Sequence, residues 1–297
     1  MARESSARAF VSILGSPFFR PAALRSIFSI VRNFFLLQYK AVLRPGRYRI
    51  TLVDHPLDKK IPFNPKIVDT YLDFVHFFIR TQDFLIQNFK KHAGRNFMVL
   101  EENFIKALGA LYSMAAEVYA KNFSTTERPK YLAKFKFMVI HAFDPHLMCI
   151  PSLHVMVVIL TYTRLRKILR ALGEKSSYAS KIESTRKHAL AITEAVLYVK
   201  QHSINCISAA MYAMTCFDDL FPQEEAEAFA RDLFINACDI SKNDVKAIQD
   251  HIINLYKKFL DEARLNGITL PGSTAKKDTF WGKPLLDFLA SIEKNES

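Results

Sequence analysis

Apolar residues recur at three- and four-residue intervals along most of the chain, the spacing that gathers them on one face of a helix. Between residues 21 and 43, Leu24, Ile27, Phe28, Val31, Phe34 and Phe35 share one face. Arg25, Arg32 and Lys40 lie elsewhere on the same turns, and Arg44, Arg47 and Arg49 follow just beyond. The pattern fits a helix lying on anionic lipid, and equally one packed on the protein's own core. Arg47 to Val53 has the only β character, and Pro45, Pro56, Pro62 and Pro65 make 44–65 an irregular connector or small hairpin. Asn64 and Pro65 have the chemistry of an N-cap and a first helical position. The helix predicted after them runs to about Lys91 on Val68, Leu72, Val75, Phe78, Ile79 and Leu85. A second runs from about Met98 to Lys121 on Ala107, Leu108, Leu111, Ala115 and Val118.

A loop over 122–129 and a short helix from Tyr131 to Ala142 follow, ended by Asp144-Pro145. The next helix is predicted from Ser152 to about Leu172, and after a Gly/Ser-rich loop at 173–177 the span 184–217 forms one or two helices. Pro222 with two acids behind it opens another helix, Ser241 caps one that reaches about Asn266, and Gly267 to Asp278 is a loop before a last helix over Pro284 to Lys294. The expected fold class is therefore all-α. Its parts are an amphipathic N-terminal helix and connector over 1–65, a helical core over 66–217, and a C-terminal helical extension over 218–297 packed on that core.

Composition sharpens this. With 25 Phe and only 8 Gly in 297 residues, long helices are favoured over turn-rich β architecture. A spanning helix needs about 20 apolar residues, but Leu147–Thr163 is interrupted by Pro151, and 189–217 by Glu194, Lys200 and His202. The expectation is a soluble protein or one attached to one membrane face, cytoplasmic or peripheral on the cytoplasmic membrane, with no secretory signal. Cys149, Cys206, Cys216 and Cys238 stand singly, which argues against a disulfide framework or zinc site. A net charge of +12 calls for an anionic partner. No nucleic-acid module is recognisable, so nucleic acid is not expected.

The candidate chemistry lies in two segments, Lys121-Asn-Phe-Ser-Thr-Thr-Glu-Arg128-Pro129 and Pro151-Ser152-Leu153-His154. Two cations flank a polar turn in the first. The second starts a helix, whose unpaired N–H groups and dipole favour a phosphate. Together they resemble the first two motifs, K-x6-R-P and P-S-G-H, of the type 2 phosphatidic acid phosphatase (PAP2) superfamily. Leu153 replaces the usual glycine, a form familiar among the family's lipid phosphotransferases.

The resemblance covers about residues 100–217 and implies a PAP2-like helical bundle that uses no cofactor or metal. It implies phosphate binding by Lys121, Arg128 and Ser152, with His154 as general acid. The family's third motif, S-R-x5-H-x3-D, falls at Ala195 to Cys206: His202 stands at the nucleophilic histidine, Cys206 at the orienting aspartate, and Ala195 and Val196 at the Ser-Arg pair. A carboxylate four residues on along a helix can orient the imidazole, whereas a thiol is a poor acceptor. The expected activity is hydrolysis or transfer of a phosphomonoester or lipid phosphate through a phosphohistidine, with peripheral contact to an anionic membrane. The alternative is a catalytically impaired relative that binds phosphate or anionic headgroups. Lys200, Glu194, Asp218 and Asp219 are the candidates to replace the missing groups, and His141, His146 and His188 are assigned no role.

Overall fold

The computed structural model describes residues 4–44, 46–131, 133, 135–271 and 280–296. The predicted loop from Gly267 to Asp278 falls outside them from 272 onward. The fold is all-α. Helix α1 spans Ser6–Gly15, and α2 (Arg20–Ile30) runs through a π-helical segment, Val31–Leu36, into α3 (Leu37–Val42). The long helices α4 (Val68–Phe89) and α5 (Gly94–Tyr119) follow, then α6 (Phe135–Phe143), α7 (Leu153–Ala171), α8 (Ala179–Tyr198), α9 (Ile204–Phe217), α10 (Gln223–Arg231), α11 (Lys242–Leu265) and α12 (Lys283–Glu296).

Helix α7 is the axis of the molecule. Apolar residues occupy every side of its first three turns, and from Leu153 to Thr163 all are buried, as expected of a helix enclosed by others. It packs against α4, α5, α8 and α9, while α11 covers α9 from outside. One continuous apolar core extends from Ala9 to Leu289.

The connector does not form a hairpin. Its strand β1 (Ile50–Leu52) pairs in parallel with β2 (Phe123–Thr125), in register Ile50 to Phe123. The Ser124 carbonyl accepts from Cys149 N at 3.2 Å, and its hydroxyl accepts from Ile150 N at 2.8 Å. The loop carrying Arg128 is thereby stitched beside the segment that opens α7.

Helix α2 docks on α5 through small and polar side chains. Ala22, Ala23 and Ser26 are buried, and a Cβ on Gly109 would lie 2.9 Å from the Ser26 backbone, so only glycine permits that approach. Ser26 donates to Ile105 O at 2.8 Å, Ser29 to Gly109 O at 2.7 Å, and Asn33 to Ser113 Oγ at 3.0 Å.

Candidate active site

The span predicted as one or two helices divides at His202. After α8 ends, Lys200 takes a left-handed conformation with φ of 56°, and the amides of Gln201 and His202 return to Val196 O at 3.0 and 3.3 Å. Ser203 then caps α9, accepting from Asn205 N. His202 thus sits in the break and not on a helix. The four-residue relation to Cys206 therefore carries no helical geometry, which corrects the expected orienting position.

His154 lies in the first turn of α7, one residue beyond its start, and its Nδ1 is 3.2 Å from His202 Nε2. Both rings are nearly closed off, 9% and 7% exposed. The His154 ring stacks on Tyr71 at 4.7 Å and leans on Phe74 at 4.2 Å. Burial pushes its imidazole well below the ordinary histidine range, and the neighbouring His202 adds to that. His154 is therefore neutral at pH 7. Among the described residues, the buried His202 Nδ1 has no hydrogen-bond partner. Ser152 sits at the N-cap without a capping bond, its buried hydroxyl without a partner among the described residues, while its amide points to Cys206 O at 3.4 Å. Two hydrogen-bonding groups beside one histidine pair are thus unused, an arrangement that buried polar atoms rarely show without a ligand or water.

Arg128 is tied to the two residues that border this centre, Gln201 beside His202 in the chain and Asp144 at the edge of a gap beside the pair. It donates to Gln201 Oε1 and to Asp144 O, both at 3.0 Å. On its outer side it lines a 680 Å³ cleft with Asp54, Asp58, Lys59, Glu127 and Lys200 among apolar residues such as Ile61 and Phe63. Desolvation there raises Asp54 to about 6.

Lys121 is not brought to the site. Helix α5 ends at Tyr119, the chain turns into β2, and the exposed Lys121 ammonium lies 5.1 Å over the Phe280 ring. The expected pair of phosphate-binding cations is reduced to Arg128. None of the candidate replacements faces His202: Lys200 donates to Asp58 O and Ile61 O, the Glu194 carboxylate accepts from Phe234 N, Asp218 pairs with Arg164, and Asp219 is exposed.

Groups without an assigned role lie nearer. The His146 ring, on a residue with φ of 63°, is 6.4 Å from His202. It bonds Thr126 at 2.7 Å and approaches Cys149 Sγ at 3.6 Å. Burial opposes ionisation of Cys149, but the Cys206 thiol and the His146 and His202 imidazoles outweigh it, and its pKa falls. The Cys206 thiol is pushed up by burial and by Cys149. Cys206 thus acts on Cys149, and Cys149 is the thiol that meets the histidines. The left-handed turn at His146, following Asp144-Pro145, is the feature that aims that ring inward, and no periodicity announces it. Among the described residues no His/Cys/Asp/Glu cluster has the form of a metal site.

Two spaces meet at the pair. A gap of about 10 Å³ lies among Asp144, His146, Cys149, His154 and His202, room for roughly one water. A 410 Å³ cavity, lined by Phe34, Tyr71, Phe74, Leu108, Tyr112 and Val157 among others, ends on His154 and Asp144 and is almost wholly apolar.

No family model matches the chain, and no curated protein or solved structure does.

Proposed function

We propose that the chain is a PAP2-like phosphoesterase or phosphotransferase acting through a phosphohistidine. The observation that carries this reading is the 3.2 Å approach of His154 Nδ1 to His202 Nε2, from segments 48 residues apart, in a buried site, with Arg128 bonded to Asp144 O at the edge of the gap beside the pair. In the resting pair His154 Nδ1–H donates to His202 Nε2. Separation of the rings admits a phosphate ester between them.

The ester enters as its monoanion and passes its proton to the neutral His154; His202 Nε2 then attacks phosphorus as the ester P–O bond breaks, and the His154 imidazolium gives that proton to the leaving oxygen. Water or an acceptor alcohol then attacks phosphorus, His154 takes its proton, and the P–N bond breaks to release His202. Arg128, the Ser152 hydroxyl and the first amides of α7 hold the phosphoryl oxygens. The His202 Nδ1–H that a carboxylate orients in the family has no carboxylate acceptor among the described residues. Turnover about 10⁴ below that of an intact histidine–carboxylate pair follows, by analogy with the loss of such a partner elsewhere.

The test is hydrolysis of p-nitrophenyl phosphate and of a lipid phosphate by wild type, H202A and H154A, with acid-labile phosphoenzyme trapped on wild type. Activity that survives H202A sinks the assignment of nucleophile. The second reading, a binder of phosphate or anionic headgroups without turnover, is favoured by the unpartnered Nδ1 and by the one-water gap. Vanadate binding with no hydrolysis of either ester would select it.

A further inference from the structure

The rod Arg20–Val42 is amphipathic in the opposite sense to an ordinary surface helix. Its small and polar stripe is buried against α5, and its apolar side faces outward: Leu24 is 54% exposed, Phe28 66% and Leu36 61%, with Ile27, Val31 and Phe35 also open. Helix α1 extends the exposure with Phe10 and Val11, and Leu43 continues it beyond α3. A soluble helix gains its stability by burying such residues. Serine, glycine and asparagine at a close helix contact are instead the usual means of joining helices where the surroundings are themselves apolar.

The charges on the same segment are one-sided. Residues 5–53 contain Arg8, Arg20, Arg25, Arg32, Lys40, Arg44, Arg47 and Arg49 and no Asp or Glu. Arg8 and Arg49 pair with Asp83 and Glu293. Arg25, Arg32, Lys40 and Arg44 are exposed and make no ion pair within the described residues. We infer that this face seats the protein on an anionic lipid bilayer, the rod lying in the headgroup plane with Phe28 and Leu36 in the acyl layer and the cations at phosphate depth. A second copy is a poor occupant, because a two-fold contact would bring these cations against themselves. No described helix is long and apolar enough to cross a membrane, so the docking is to one leaflet.

The 410 Å³ apolar cavity is walled on this side by Ile30, Phe34 and Phe35 of the rod and ends at His154. It gives a lipid's hydrocarbon chain a path from the leaflet to the histidine pair. That use of the cavity rests on the phosphoester reading, whereas the docking does not.

The test is flotation of the full chain with phosphatidylcholine vesicles, with and without phosphatidylglycerol, alongside I27D/F28D, R25E/R32E and H202A. Wild type is expected to float with the anionic vesicles and to lose binding as salt rises. I27D/F28D should bind at least tenfold more weakly per residue changed, and R25E/R32E about fivefold more weakly per cation on anionic vesicles only. H202A should float like wild type, so a failed phosphatase assay leaves the docking standing. Wild type that stays in the dense fraction, or variants that float unchanged with wild-type circular dichroism, would overturn it. So would a dimer of wild type in light scattering that I27D/F28D abolishes.

Discussion

Helices α7 and α2 are both rich in apolar residues, yet they bury opposite sides of themselves. Helix α7 is enclosed by four neighbours and hides Val155, Met156, Val158, Ile159 and Leu160 completely. Helix α2 hides Ala22, Ala23 and Ser26 and leaves Leu24 and Phe28 open. Periodicity states which residues share a face, and both faces are correctly grouped by it. What periodicity does not carry is which face is inside, because that depends on what the partner helix offers. Gly109 and Ser113 on α5 offer a shallow polar groove, and only small polar side chains fit it.

The sharpest break in the comparison comes from truncation in α7. Ile159→Ala removes buried methylenes from a fully enclosed site, and a loss of 2–5 kcal/mol in unfolding free energy is expected, on the order of the cavity cost of such changes. Urea denaturation followed by circular dichroism measures it. A loss below about 1 kcal/mol would mean that α7 is less tightly enclosed than its burial indicates. Next in size is Gly109→Val. The added Cβ meets Ser26 backbone at 2.9 Å, which no side-chain rotation relieves, so about 1–3 kcal/mol of overpacking strain is expected. Hydrogen exchange should show the loss concentrated in residues 20–42, because the contact is the hinge of that docking alone. Uniform deprotection would place α2 inside the cooperative core.

Much of this architecture was legible in the sequence, and the failures have physical causes. The Ser241 cap and the Pro222 start with Glu224 and Glu225 in the first turn are where local chemistry put them, because such signals act within one turn and need no distant partner. Asn64 likewise caps the turn that begins at Pro65. The parallel pairing of Ile50–Leu52 with Phe123–Thr125 was not legible, since it joins segments some seventy residues apart with no local turn to signal it. The direction of the Lys121 side chain is hidden for the same reason: the seven-residue spacing to Arg128 crosses a helix end and a strand, and neither period carries direction across that change. The helix break at His202 is equally silent, because nothing in Lys200-Gln201-His202 marks a left-handed residue. The nearness of His146 and Cys149 to the pair follows from that turn and from the Ser124 bonds, both invisible in one-dimensional spacing.

The pH response separates the interior from the connector. A histidine whose folded pKa lies below its unfolded value binds its proton more readily when unfolded, so stability is full above about pH 6.5 and falls as the pH drops through that value. His154 behaves so through burial. His251, stacked on His55 at 3.8 Å, is lowered to about 4 by burial and by His55. Discounted for its partial exposure, His251 alone contributes about 2 kcal/mol lost between pH 7 and 4. Asp54 works the other way: raised to about 6 by burial, it is protonated sooner in the folded state and returns about 1 kcal/mol over the same fall after the same discount. Comparison with H251N isolates the His251 contribution: from pH 7 to 4 the variant is expected to lose less unfolding free energy than wild type, and an equal or larger loss in H251N would reverse the assignment.

The smallest expected effect completes the contrast. Phe28→Ser changes a large apolar residue in the middle of a helix, and at Ile159 the equivalent loss of volume would be severe. Yet Phe28 is 66% exposed, so its ring is largely in water in the folded chain as in the unfolded one, and little apolar area returns to solvent on substitution. Serine is a weaker helix former than alanine but close to phenylalanine in rank. A change within about 0.5 kcal/mol is expected in urea denaturation, as for surface positions generally, together with higher solubility, because an exposed apolar residue promotes association. A loss comparable to that of Ile159→Ala would show that the outward face of α2 is covered by protein, and the comparison between the two helices would collapse.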